Sequence, residues 1–291
     1  MLRVGVQYTG CLVSQARGMA TLKDIGVRLK SVKNIQKITK SMKMVSASKF
    51  SRAEKDLKAA RPYGQGATEF YEKAEVKPGE EVAGHVLIAV TSDRGLCGAA
   101  NSSIVRAIRA ELAKNRDKLD SYRIVAIGDK SRSMLARQYS KQMLLHFTEI
   151  GKKPATFAEA SEIANAVMSS DFHFNKCSMY YNTFKSVVSY ETTLQPLHSL
   201  EAVAASEKLP LYDSVDEDVL RSYNEFCLTS LIYFALKEAS ASEQSARMTA
   251  MEGASKNAGE MIDKLTLLFN RTRQAVITRE LTEIISGAAA V

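Results

Sequence analysis

Apolar residues recur at helical spacing from residue 213 to residue 285, and no proline interrupts them. In the distal half, Met251, Ala254, Ala258, Met261, Leu265, Leu268, Thr272 and Ala275 alternate steps of three and four, the seam of a coiled coil. Unbroken, such a helix runs roughly 110 Å at 1.5 Å per residue, several times the usual length. A rod of that length has to project, pair with a second long helix, or thread into a partner. Gly253 and Gly259 each cost it about 1 kcal/mol of helix propensity, so packing must offset them.

A second helical pattern spans residues 22–61. Leu22, Ile25, Leu29 and Val32 begin its stripe. Gln36 and Thr39 then fall on the strict heptad, while Ile35, Ile38, Met42 and Val45 carry the apolar stripe onward. That is a skipped residue, which predicts a local change in supercoiling. Pro62 and Gly64 are expected to end the helix.

Residues 83–205 read differently. Apolar runs at 85–92, 123–128 and 142–148 predict strands, and 176–190 and 194–200 predict later ones. Helices fall at 102–112, about 130–139 and 157–169, the last with Thr156 as N-cap. Strand alternating with helix predicts a mostly parallel sheet with helices on its faces. Two long helices at opposite ends of one chain then have one economical solution, an antiparallel pair with the sheet domain inserted between them. The expected bounds are 20–62 and 211–291 for the helices and 83–205 for the sheet domain.

Composition narrows the function. The 291 residues are 45% hydrophobic and carry a net charge of +8, which favours nucleic acid, anionic lipid or an acidic protein surface as partner. No apolar run approaches the 18 or so residues of a membrane span, so the chain is expected to be soluble or held at a membrane only through partners. Cys11, Cys97, Cys177 and Cys227 lie far apart with no CxxC pair or histidine cluster, and predict neither metal site nor disulfide framework. Residues 1–19 carry Arg3 and Arg17 and several hydroxyls, and no acid precedes Asp24; this resembles a mitochondrial presequence.

No catalytic signature emerges. The turn 92–98 (SDRGLCG) has two glycines where a dinucleotide loop needs three, and Asp93 puts a carboxylate where phosphate would sit. No Walker lysine and no GxSxG elbow is present. The lysine face of the first helix stands out instead: Lys30, Lys33, Lys37, Lys40, Lys43 and Lys49 recur with hardly an acid among them. Such repulsion predicts an acidic partner. Nucleic acid is disfavoured, because residues 22–49 contain no aromatic on which a base could stack.

Four blocks carry a family resemblance. Residues 31–45 (SVKNIQKITKSMKMV), 92–98 (SDRGLCG), 242–258 (SEQSARMTAMEGASKNA) and 267–291 (LLFNRTRQAVITRELTEIISGAAAV) resemble, in order, the signatures of the gamma subunit of rotary ATP synthases. With the presequence, the likeness is to the mitochondrial form. It implies an α/β chain: a long antiparallel coiled coil of N- and C-terminal helices with an inserted Rossmann-like domain. It implies a rotating central stalk inside a hexamer of alpha and beta subunits, with the delta and epsilon subunits and the membrane c-ring at its foot. The site would be the matrix side of the mitochondrial inner membrane, peripheral to it, with no cofactor and no catalysis of its own. Lys37, Lys40, Met42 and Lys43 match the segment facing acidic loops of the beta subunits. Arg273 and Gln274 match a pair that engages a beta-subunit loop, and Ile284 and Ile285 belong to the tip seated in an apolar sleeve. The chloroplast form's cysteine-bearing insertion is missing, so no thiol switching is expected. On the residues alone, a nucleotide-binding Rossmann-type enzyme with helical arms and a basic coiled-coil binder of nucleic acid or lipid stay open.

Overall fold

A computed structural model describes residues 21–76, 84–151, 153–170, 172, 174, 176–198, 203, 204, 206 and 216–289. The expected presequence, residues 1–19, lies outside them. The chain forms two compact units, one of residues 1–37 and 256–291 and the other of residues 38–255.

Two helices run through both units, α1 (Leu22–Lys73) and α5 (Glu217–Ala289). Between them come β1 (His85–Val90), α2 (Ala100–Lys114), β2 (Tyr122–Ile127), α3 (Asp129–Tyr139), β3 (Met143–Phe147), α4 (Phe157–Met168), β4 (Lys176–Ser186) and β5 (Ser189–His198).

In the smaller unit the described residues are the start of α1 and the end of α5. Ile25 and Val32 are buried on α1, and Ala258 on α5. Gly26 faces Phe269, and Gly259 faces the Gln36 amide, whose nitrogen lies 3.2 Å from where a Cβ would stand. Partner numbers fall as α1 numbers rise, so the pair is antiparallel. Thr21 and Asp24 cap α1 reciprocally: Asp24 N donates to Thr21 Oγ1 at 3.3 Å, and Thr21 N to Asp24 Oδ2 at 3.1 Å.

The larger unit is built on a five-stranded sheet of order β3-β2-β1-β4-β5, parallel except for the antiparallel β4–β5 hairpin. Alternate side chains serve opposite faces, as the period of a strand requires. Val86, Ile88, Val90, Val125, Ile127 and Met179 pack with α4, the end of α1 and the start of α5. Leu87, Ala89, Ile124 and Tyr180 pack with Ile104, Ile108 and Leu112 of α2 and Leu135 of α3. The N-cap expected at Thr156 is present, and Glu159 closes it into a capping box.

Three sequence expectations need correction. Pro62 and Gly64 do not end α1, which runs on to Lys73. Proline removes one intrahelical bond, but Leu57, Ala60, Ala67 and Tyr71 are buried on either side and hold the helix through it. Gly64 is there for packing: a Cβ would lie 2.6 Å from the Phe234 ring. Second, the stripe of α1 does not skip. Within the larger unit it follows Thr39, Ser46 and Phe50, all at most 9% exposed, and leaves Ile38 and Val45 at 58% and 55%. On α5, likewise, Ile262 and Phe269 are half-buried, whereas Met261 and Leu268 are about half exposed. Third, the run 176–190 is two strands turning at Val187-Val188. The turn contains no glycine or proline, so its apolar pair reads as strand.

Candidate functional site

The loop after β1 is closed against its surroundings. Thr91 Oγ1 accepts from Ser131 N at 3.0 Å, Ser92 O from Lys130 N at 3.2 Å, and Asp93 Oδ1 from Asp129 N at 2.9 Å. These are the first amides of α3, the donors a phosphate would use. Gly128 makes the approach possible, with φ +96° and an imagined Cβ only 2.4 Å from Thr91 O. On the other side Asn101 Oδ1 accepts from Ser92 N at 3.1 Å, and Asn101 Nδ2 donates to Arg94 O at 3.3 Å. The helix start that would bind pyrophosphate is therefore occupied by the chain's own carboxylate and hydroxyl.

The buried titratable groups are inert in the same way. His85 is 2% exposed, with its Nε2 2.9 Å from Ser178 Oγ. Burial, and then the charge of Lys176, hold its pKa down at about 4. Burial pushes the Cys177 thiol up to about 12 and raises those of Cys97 and Cys227, so none of these three described cysteines is a thiolate at neutral pH. All three thiols are unpaired. Among the described residues, no group of three or more His, Cys, Asp or Glu could hold a metal ion.

The sequence-nominated contact residues lie on the two long helices. In the larger unit, Lys40 is exposed, Met42 half-buried, and Lys43 pairs with Glu252 at 2.6 Å while its side chain stays 38% exposed. In the smaller unit, Lys37, Arg273 and Gln274 are exposed, and Ile284 and Ile285 are 67% and 68% exposed. Among the described residues, no acid lies within ion-pair distance of Lys37 or Lys40, so their charge is available to a partner. Ile35 in the smaller unit, and Ile38, Met44 and Val45 in the larger, are apolar and 51–68% exposed. The sequence places Ile35, Ile38 and Val45 on the internal seam, whereas the structure leaves them open to solvent.

From Arg273 to Ala289 every residue of α5 is exposed. Val276, Ile277, Leu281, Ile284 and Ile285 are exposed on it among Arg279, Glu280, Thr282 and Glu283, and exposed apolar groups of this size mark partner sites. Among the described residues, no helix is long and apolar enough to cross a membrane.

Comparison with known proteins gives the chain a family. Residues 21–291 match the family described as ATP synthase. The chain is 59% identical over 281 residues to the mitochondrial ATP synthase subunit gamma of Drosophila melanogaster, covering 96% of this chain and 94% of that one. It is 55% identical over 272 residues to the mitochondrial ATP synthase F(1) complex subunit gamma of Rattus norvegicus, covering 94% of this chain and 100% of the other. A chain in the structure of the Tetrahymena thermophila mitochondrial ATP synthase central stalk and c-ring is 31% identical and superposes with a TM-score of 0.65. The match covers 75% of this chain and 99% of that one. A match that spans paired terminal helices, inserted sheet and apolar tail alike leaves one assignment: the chain belongs to the ATP synthase family, among the gamma subunits of the mitochondrial central stalk.

Proposed function

We propose that the chain is a non-catalytic shaft whose rotation couples proton flow through a membrane ring to ATP synthesis in beta subunits. It works at the matrix face of the mitochondrial inner membrane, peripheral to the bilayer. Alpha and beta subunits surround the paired helices, and the sheet domain, residues 83–205, meets the delta and epsilon subunits and the c-ring. Residues 1–19 serve as a presequence.

The observation that carries this reading is the exposed apolar tail of α5. Beyond Glu283 the described end of this tail, Ile284 to Ala289, carries no charged group and is exposed throughout, which suits a sleeve in which it must turn. Apolar contact is non-directional, so it resists rotation little at any angle. Lys37, Lys40 and Lys43, with Met42 beside them, present positive charge to acidic loops of beta subunits, and Arg273 and Gln274 supply a polar grip before the tail.

The test is reconstitution. Arg273→Ala combined with Gln274→Ala should leave assembly with alpha and beta subunits intact and lower coupled ATP turnover by roughly tenfold, the range for truncating a charge-assisted contact at an interface. Full turnover in that assembled variant would remove the grip. Failure of the unmodified chain to co-purify with alpha and beta subunits would remove the function.

A further inference from the structure

Strand β4 outruns its neighbour. β1 pairs with it from His85↔Lys176 to Ala89↔Tyr180 and stops, while β4 continues to Ser186 with only β5 beside it. Side chains of α5 take the missing strand's place. Phe184 N donates to Glu238 Oε2 at 2.7 Å, and Ser242 Oγ donates to Asn182 O at 3.0 Å. Ser245 Oγ donates to Val187 O, which also accepts from Thr249 Oγ1 at 3.4 Å. Arg247, ion-paired to Glu243, adds bonds to Gly95 O at 3.3 and 3.4 Å.

Glu238, Ser242, Ser245 and Thr249 step by four, three and four, so a single stripe of α5 presents them. The first three are 2%, 0% and 3% exposed. Burying a carboxylate and two hydroxyls is costly unless each is bonded, and an apolar stripe would have packed more cheaply. What the polar stripe adds is direction. Its partners here are main-chain atoms, so it reads the position of the hairpin backbone itself. Hydrogen bonds of this length survive in one register only, whereas apolar faces slide.

We propose that Glu238, Ser242 and Ser245, closed by Arg247 on Gly95 O, form a key that locks α5 to the β4–β5 hairpin and passes twist between sheet and helix. The inference rests on the shaft reading above. These are positioning residues; none of them touches a reacting group. Burial raises the Glu238 pKa against the pull of the Phe184 amide, Arg61 and Lys185, as suits a group held by its bond more than by solvent.

The experiment uses the assembled ATP synthase carrying Ser242→Ala and Ser245→Ala. Alanine has the higher helix propensity, so α5 itself is not weakened. ATP hydrolysis should persist, while the ratio of proton-driven synthesis to hydrolysis falls roughly thirtyfold, the factor expected for two net hydrogen bonds lost at the joint. A cysteine pair in the same background, Val187→Cys with Thr249→Cys, should restore the ratio when oxidised and lose it again on reduction. Cargo-free structural damage would not respond to the tether. An unchanged ratio, or a loss that the tether fails to recover, overturns the key. If the double variant does not assemble, Ser245→Ala alone carries the same two readouts. The shaft reading fails separately, if the unmodified assembly still makes ATP with this chain cross-linked to a beta subunit.

Discussion

At the scale of single residues, backbone geometry decides which positions tolerate change. Gly128 combines a positive φ with a Cβ position inside contact distance of Thr91 O. Gly128→Ala should therefore destabilise the larger unit by roughly 3 kcal/mol or more, read as a lower urea midpoint. Gly253 has nothing within 4 Å of its Cβ position and an ordinary helical φ, so Gly253→Ala should stabilise by about 0.5–1 kcal/mol in the same assay. Opposite signs are expected, and like signs would refute the packing account. His85 gives a pH signature. Its folded pKa of about 4 lies below the ordinary imidazole value of 6.5, so between those values the unfolded chain binds more protons. Stability should fall as pH drops from 6.5 toward 4 and be indifferent to His85 above that window. In His85→Asn the wild-type excess slope should vanish; identical pH profiles would show the imidazole is not buried neutral.

At the scale of elements, α1 shows how far a helix can be read from its letters. Sheet, helix order and the Thr156 cap were legible because strand runs end at turn residues and caps have a local signature. The stripe of α1 was not, for a physical reason. Hydrophobicity marks a side chain that will leave water, without saying whether it packs within its own chain or against another. Ile35, Ile38 and Val45 were assigned to the internal seam, yet Thr39 and Ser46 are the buried ones. The same ambiguity moved Met261 and Leu268 inward on α5. The lysine face of α1 stands out in the letters because acids are scarce along it; Lys37 and Lys40 are exposed, and Lys43 pairs with Glu252. The bonding role of Glu238, Ser242 and Ser245 on α5 is not legible in the letters, since their partners are main-chain atoms with no letter in the sequence. Pro62 offers a test at this scale. It is exposed, so Pro62→Ala loses little packing and regains an amide donor, and should stabilise α1 by about 1–3 kcal/mol in urea unfolding. A loss of stability would mean that the ring is needed where it stands.

At the scale of the whole molecule, stability and function separate along α5. Residues 273–289 are exposed, so deleting the chain from Ile284 onward should leave the melting of the free subunit within about 0.5 kcal/mol of the parent. If the tail seats in a sleeve as proposed, the same deletion should impair coupled ATP synthesis in the assembly. A large drop in the free subunit's stability would show that the tail packs at home after all. The greasy tail also governs how a cell must handle this subunit before it finds its companions. Ile277, Leu281, Ile284 and Ile285 stay wet until another chain covers them, and a free pool with such an end invites clumping and chaperone capture. It cannot be stockpiled, and its synthesis has to keep pace with that of the subunits that sheathe it.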